Sequence, residues 1–467
     1  MVRPPRRRRG GRAPRGGASR AARDRRGRAA PLDFRGRLLV ALSDADMVAS
    51  AYIDGRLGPP RGADALTVVR LDRVRGRARP LDTLAVGRAA VGNSVTGPPA
   101  AAALTPDGRY AVVVETLGAR RPGAADSLLR DLPLGRTIVV VDLGDPDHPA
   151  VVQRVACPAQ PETVAIDAAG AHVAVTFGPK GAGPTTPLLL YRFRDGRLTG
   201  GVAPAVPGWP AGHPVRDAEF GPPGARADVL ALLDATTPAV TFARVTGVTG
   251  DGTATGGAGR APRLVPRGAA VPLARLGGPF LVRWTPDGRH VVVNGNDTDP
   301  AAGPDDGYGR PRGVVVGIRV GTGRTADPPR VVGRAVVGAG PEGLAVSPDG
   351  RWVATSNLER SYLPFADPRQ TFFASLSLAR LDPATGALTR VGDFPFDGVL
   401  PETVLFDNSS RYVAAITFDR FDGGAPGGSL GVWRLAVNPT DPTHVALVKT
   451  TTAIPVPRGA HTMVIAR

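Results

Sequence analysis

Cysteine is nearly missing from this chain. Cys157 is the only one in 467 residues, so no intramolecular disulfide can form and the fold must rest on packing alone. Lysine is scarce as well: of 58 basic residues, only Lys180 and Lys449 are lysines. The remainder is arginine, which fits a GC-rich coding bias alongside abundant Ala, Gly and Pro. That bias explains much of the +17 net charge without a partner. No run of about 18 apolar residues occurs, which excludes a membrane-spanning helix. The basic N-terminus lacks the apolar stretch that an export signal needs. A cytoplasmic location is therefore expected, or an extracytoplasmic one if the start codon is placed too far upstream. Sustained helical periodicity is absent too, and only 125–131 reads as a helical turn.

The charge that is present is unevenly spread. Residues 1–30 hold twelve Arg against one acid, Asp24, a net +11, which leaves +6 for the rest. Residues 1–32 have almost no apolar content and are expected to be a disordered Arg-rich tail. Such an arm can bind nucleic acid by releasing counterions. No aromatic residues interleave the arginines, so an inert tail is the preferred reading.

From Asp33 onward the chain alternates short Val/Leu/Ala-rich runs with Gly/Pro/Asp turns, the pattern of β-strands. One unit recurs, best seen in PEGLAVSPDGRWVATSN at 341–357. Aligned on the apolar residue before each turn, its copies fall at Leu104, Ile166, Phe220, Trp284, Val346 and Phe406, at intervals of 62, 54, 64, 62 and 60. Near-constant spacing is the signature of a repeat array. A seventh copy is split between the chain ends: 460–465 supplies a first strand, and 33–41 a turn and second strand. Joining them removes the exposed edges that a linear array would leave. The expectation is therefore all-β: residues 33–467 form a seven-bladed β-propeller of four-stranded antiparallel blades, closed by the C-terminal strand. Strands are lettered A (innermost) to D. The A–B turns are short, whereas several B–C loops are long (116–136, 295–312, 357–373 and 418–429). Long loops in a compact repeat are often functional, so the B–C face is the expected working face.

The PDG turns at 106–108, 286–288 and 348–350 and the LDPATGALT segment at 381–389 resemble the YVTN-repeat and lactonase-like seven-bladed propellers of bacteria. That family includes lactone hydrolases of the 6-phosphogluconolactonase type, surface proteins and binding modules. Lactonase-type members tend to carry Pro-His at the start of inner strands. This chain has Pro-Glu there, at Glu162, Glu342 and Glu402.

Taking the residue four before each anchor gives a ring at the channel mouth: Ala100, Glu162, Arg216, Phe280, Glu342, Glu402 and His461. Glu162, Arg216, Glu342, Glu402 and His461 are the candidate catalytic residues. The carboxylates would serve as acid and base, with Arg216 stabilising an oxyanion. Phe280, Asn357 and Asp419 are candidate binding residues on the same face, and His213 and Asp217 lie beside the ring. A divalent cation such as calcium is the candidate cofactor, held by the carboxylates or by the oxygen-rich loop 294–306. Gly427-Gly428-Ser429-Leu430-Gly431 matches the nucleophile-elbow pattern by letter, but it leads into a strand rather than a helix. Two functions follow. One is a monomeric binding module that engages a small molecule, glycan or protein on the B–C face. The other is a lactonase-like hydrolase or lyase with a Glu/Arg/His centre.

Overall fold

A computed structural model describes residues 32–59, 64–71, 86–90, 97–120, 128–179, 187–246, 262–299, 311–322, 327–419 and 427–466. The Arg-rich tail expected at 1–32 lies almost entirely outside these residues. Seven antiparallel sheets follow one another along the chain, and within most of them strands adjacent in the sheet are adjacent in sequence, the pairing of the two chain ends in blade 1 being the main exception. Blade 2 begins at Ala102, blade 3 at Pro161, blade 4 at Asp217, blade 5 at Leu276, blade 6 at Pro341 and blade 7 at Thr403. Blade 1 joins both chain ends. Its strand A is Ala460–Ala466, paired antiparallel to strand B at Leu38–Ser43, with Leu39 opposite Ile465 and Ala41 opposite Met463. The expected closure and seven-bladed architecture are the ones observed.

The A–B turns explain why the repeat is recognisable. In the Thr/Ser-Pro-Asp-Gly copies the first hydroxyl donates to the Asp carboxylate: Thr285 to Asp287 at 2.6 Å, and Ser347 to Asp349 at 2.6 Å. The same oxygens accept amides across the turn, as with Arg289 to Asp287 and Trp352 to Ser347. In two of the irregular copies the acid has moved to the first position. Asp167 Oδ1 takes the amides of Ala171 and His172, and Asp407 Oδ1 takes those of Arg411 and Tyr412. The letters change while the hydrogen bonds persist. The glycine closing the regular turns is left-handed, φ +70° at Gly350, and Ser410 adopts φ +58° at the equivalent place in blade 7.

Alternating residues of neighbouring sheets fill the spaces between blades. On the B–C face a separate small core forms from loop residues alone. Met47 and Ala51 of blade 1 pack with Leu358 of blade 6 and Val399, Leu400 and Phe418 around blade 7. It carries a four-residue helix, Ala51–Asp54. The helical turn expected at 125–131 is seen as a 3-10 turn at Leu129–Asp131; 121–127 lie outside the described residues. None of the described helices is long and apolar enough to cross a membrane.

Candidate functional site

A recurrent backbone feature aims the ring residues. The residue two before Glu162, Phe280, Glu342, Glu402 and His461 is left-handed in every case: Gln160 (φ +59°), Gly278 (+50°), Gly340 (+63°), Leu400 (+50°) and Gly459 (+78°). Glycine takes this conformation freely, whereas Gln160 and Leu400 pay steric strain of about 1–2 kcal/mol each. Strain of this kind persists only where the surroundings over-determine it, and here it falls at two of the Pro-Glu sites.

The ring divides into two groups. On the side of blades 3 to 5, Glu162 is 3% exposed, with Oε2 3.8 Å from Arg216 Nη1 and Oε1 accepting the Gln160 amide at 3.1 Å. Burial raises the Glu162 pKa and Arg216 partly offsets it. The Arg216 guanidinium lies over the Phe280 ring, 4.5 Å from its centroid. This group reads as a cation held between a carboxylate and an aromatic face.

On the side of blades 6, 7 and 1, the Tyr52 hydroxyl donates to Glu402 Oε1 at 2.9 Å. Tyr52 rides on the short helix, held edge-on against Phe418 at 6.3 Å. Glu402 is 2% exposed. Burial pushes its pKa well above the carboxylate range, and the charges of Glu342 and Asp44 push it further. Tyr52 is raised for the same reasons, burial first and then Glu402 and Glu342. Glu342 is half-buried at the rim. The arrangement is a buried acid whose pKa is raised, bonded by the Tyr52 hydroxyl, with the more accessible Glu342 acting on it through its charge.

The remaining candidates sit elsewhere. His461 is 1% exposed, and burial lowers its pKa to about 3, so it stays neutral; its Nδ1 is 3.0 Å from Thr462 Oγ1. Asn357 is fully buried in blade 6, where its amide donates to Ser375 and Ser377 at 2.8 Å. Asp419 accepts the Gly427 amide at 3.2 Å and its backbone bridges Val399. His213 pairs with Asp234 at 2.7 Å, and Asp217 lies deeper, against Arg283. In the oxygen-rich loop, Asp297 is bonded by Arg334 and Asp299 by Arg275, both at 2.7 Å; 300–310 lie outside the described residues. Among the described residues no group of three His, Cys, Asp or Glu is arranged to hold a metal ion.

Three contributors escaped sequence reasoning: Tyr52, Gln160 and the carboxyl pair Asp44–Asp64 beneath the blade 1 loop. Asp44 is fully buried, and its Oδ1 accepts the amides of Asp46 and Met47, while Asp64 Oδ1 accepts that of Ala45. Burial raises both pKa values, and each acid's proximity couples the two. A polar residue at or beside the end of strand B recurs as Asp44, Asp234 and Asn357, and that signal was available in the repeat alignment.

No protein-family model matches this chain, and no curated protein matches it. Solved structures do. The periplasmic gluconolactonase of Pseudomonas aeruginosa is 18% identical, over 92% of this chain and 99% of its own, with a TM-score of 0.55. A candidate 6-phosphogluconolactonase from Bacteroides fragilis is 12% identical over 92% and 98%, with a TM-score of 0.56. A protein of unknown function from Desulfotomaculum acetoxidans is 12% identical over 92% and 99%, with a TM-score of 0.53. At these identities the likeness is one of fold: the chain has the lactonase-like seven-bladed propeller expected from its repeats.

Proposed function

We propose that this protein is a lactonase-like hydrolase whose acid–base pair is Glu402 and Glu342. The observation that supports the reading is the Tyr52–Glu402 hydrogen bond, at a buried acid whose pKa is raised by burial first and then by the charge of Glu342. Glu342 as carboxylate takes a proton from water as the water oxygen attacks the lactone carbonyl carbon. The tetrahedral intermediate then collapses, the ring C–O bond breaks, and Glu402 delivers its proton to the departing alkoxide. The fold shared with a gluconolactonase supports a sugar-derived lactone as substrate. Of the other ring residues, Arg216 with Phe280 and Glu162 supplies a cationic, flat-faced partner for substrate, and neutral His461 supports the wall.

The test is hydrolysis of glucono-δ-lactone and its 6-phosphate, followed by acid release above the spontaneous rate. Turnover that disappears in Glu402→Gln while the melting temperature holds supports the reading. Turnover unchanged in both Glu402→Gln and Glu342→Gln overturns it.

A second reading, a binding module, is favoured by Phe365, Phe372 and Phe373. They are 60%, 65% and 41% exposed on the 357–373 loop of the B–C face, and the first two rings lie 5.9 Å apart. Exposed aromatics of this kind suit a small molecule, glycan or protein. Binding of gluconate or an oligosaccharide without lactone turnover, lost on Phe372→Ser, distinguishes this reading from the first.

A further inference from the structure

Below the mouth, the channel contains polar groups that the acid–base pair does not use. A cavity of about 360 Å³ runs between the inner strands, within the usual span of small-molecule sites, about 300–1,000 Å³. Glu342 and Glu402 are not among its lining residues, and its wall is about equally polar and apolar, the apolar part including Leu344, Val404, Leu405 and Met463. Its titratable lining residues are Asp217, Glu219 and Arg283, all on adjoining inner strands of blades 4 and 5.

These three are built into the wall rather than scattered over it. Arg283 Nη1 donates to Asp217 Oδ2 and to the Val282 carbonyl, both at 2.7 Å, and the Val282 amide donates to the same Asp217 oxygen at 2.9 Å. Glu219 Oε2 accepts the Trp284 amide at 2.6 Å, and its backbone carbonyl accepts the Trp284 indole N–H at 3.0 Å. Asp217 is 1% exposed, and its Oδ1 has no hydrogen-bond partner. The Arg283 side chain stays 20% exposed although it lines the channel. Among the described residues its hydrogen bonds all come from Nη1, which leaves the Nε and Nη2 donors for a ligand. Burial works to lower the Arg283 pKa, but the charges of Asp217 and Glu219 raise it overall, so the guanidinium and Glu219 sit within each other's field.

We propose that the channel is a binding site for a small zwitterion with an apolar body, of the α-amino acid type. Its carboxylate would dock on the open edge of Arg283, its ammonium on Glu219, and its apolar part against Val404, Leu405 and Met463. Charge selects this class. A simple anion meets a guanidinium already neutralised by Asp217 and is repelled by Glu219. An amine or an apolar molecule leaves the Arg283 donors desolvated and unpaired. A ligand with both charges meets the Arg283 donors with its carboxylate and the Glu219 charge with its ammonium, while covering the apolar side chains.

Titration calorimetry on the full chain tests this with three probes of similar length: norleucine, pentylamine and hexanoate. Norleucine should bind, and the other two should bind roughly tenfold or more weakly. Glu219→Gln should weaken norleucine by a similar factor. Arg283→Met leaves Asp217 buried and unpaired, which destabilises the fold, so Ala345→Leu, which narrows the cavity without touching an ion pair, provides the second variant; it should abolish binding at unchanged lactone turnover. Equal binding of hexanoate or pentylamine, or no binding of any probe at millimolar concentration, overturns the proposal and leaves a water-filled channel.

Discussion

At the A–B end of the blades, carboxylates are spent on amides within their own turns. Asp107, Asp287 and Asp349 each accept the amide two residues on, and Asp349 and its serine sit within a four-residue loop. At the B–C end the bonds join parts of the chain hundreds of residues apart, as Tyr52 joins Glu402. There the acids are buried against one another, and the left-handed residues Gln160 and Leu400 stand two places before Glu162 and Glu402. Most scaffold turns satisfy their polar groups locally, although Asp407 also reaches Arg35 at the other end of the chain. The mouth holds charge and strain that only the assembled ring keeps in place, which is the expected mark of a site as opposed to a support.

The comparison breaks or holds first on activity. Glu402→Gln keeps the shape and the Tyr52 hydrogen bond but removes the transferable proton. Lactone turnover should fall by roughly 10²–10⁴-fold, with the melting temperature unchanged or raised, because folding no longer requires Glu402 to take up a proton that the unfolded chain has lost. The reverse pattern is expected at the scaffold end. Asp407 is fully buried and accepts the amides of Arg35, Arg411 and Tyr412 and the Ser409 hydroxyl, so it also ties down the N-terminal segment. Asp407→Ala should cost about 2–4 kcal/mol of stability in denaturant unfolding, with turnover per folded molecule intact. Turnover lost alongside stability would mean that the two ends are not separable.

Strain offers a finer test. Gln160→Gly relieves the left-handed conformation but gives up the amide bond to Glu162, two effects of about 1 kcal/mol each and of opposite sign. Stability should stay within about 0.5 kcal/mol. Gln160→Val keeps the strain, worsens it with a β-branched side chain and loses the bond, and should cost about 2 kcal/mol. Equal stability of the two variants would show that the backbone conformation carries no strain.

The same contrast governs what could be read from the sequence. The blades were legible because each turn is written in four adjacent letters, and because the split copy at 460–465 and 33–41 made the count close. The positions of the ring residues followed from that register. Their chemistry did not. Whether Glu402 is paired, open or protonated depends on Tyr52, which arrives from the other end of the chain on a four-residue helix too short to show periodicity. The helix is set by packing against Leu358, Val399 and Phe418, contacts without a local sequence signal. His461 illustrates the same limit: a residue at the right position in the repeat is shut into the joint between blades, where it stays neutral.

The smallest expected effect concerns the loop that brings Tyr52 to the mouth. Asp64 is pushed up to about 9, by burial first and then by Asp44, which is itself raised. In the unfolded chain both acids ionise near pH 4. The folded state therefore holds protons that the unfolded state has lost, and stability falls as pH rises from about 4 toward about 9. The melting temperature should decline by a few degrees across that window. Asp64→Asn keeps an oxygen for the Ala45 amide and removes the ionisation, so the slope should flatten while stability at about pH 5 barely moves. Because the scaffold turns hold their acids by amides and hydroxyls that favour the charged form, as at Asp107, the same substitution there should leave the alkaline slope untouched. A slope that survives Asp64→Asn would assign the alkaline sensitivity to other raised acids, Glu402 first among them.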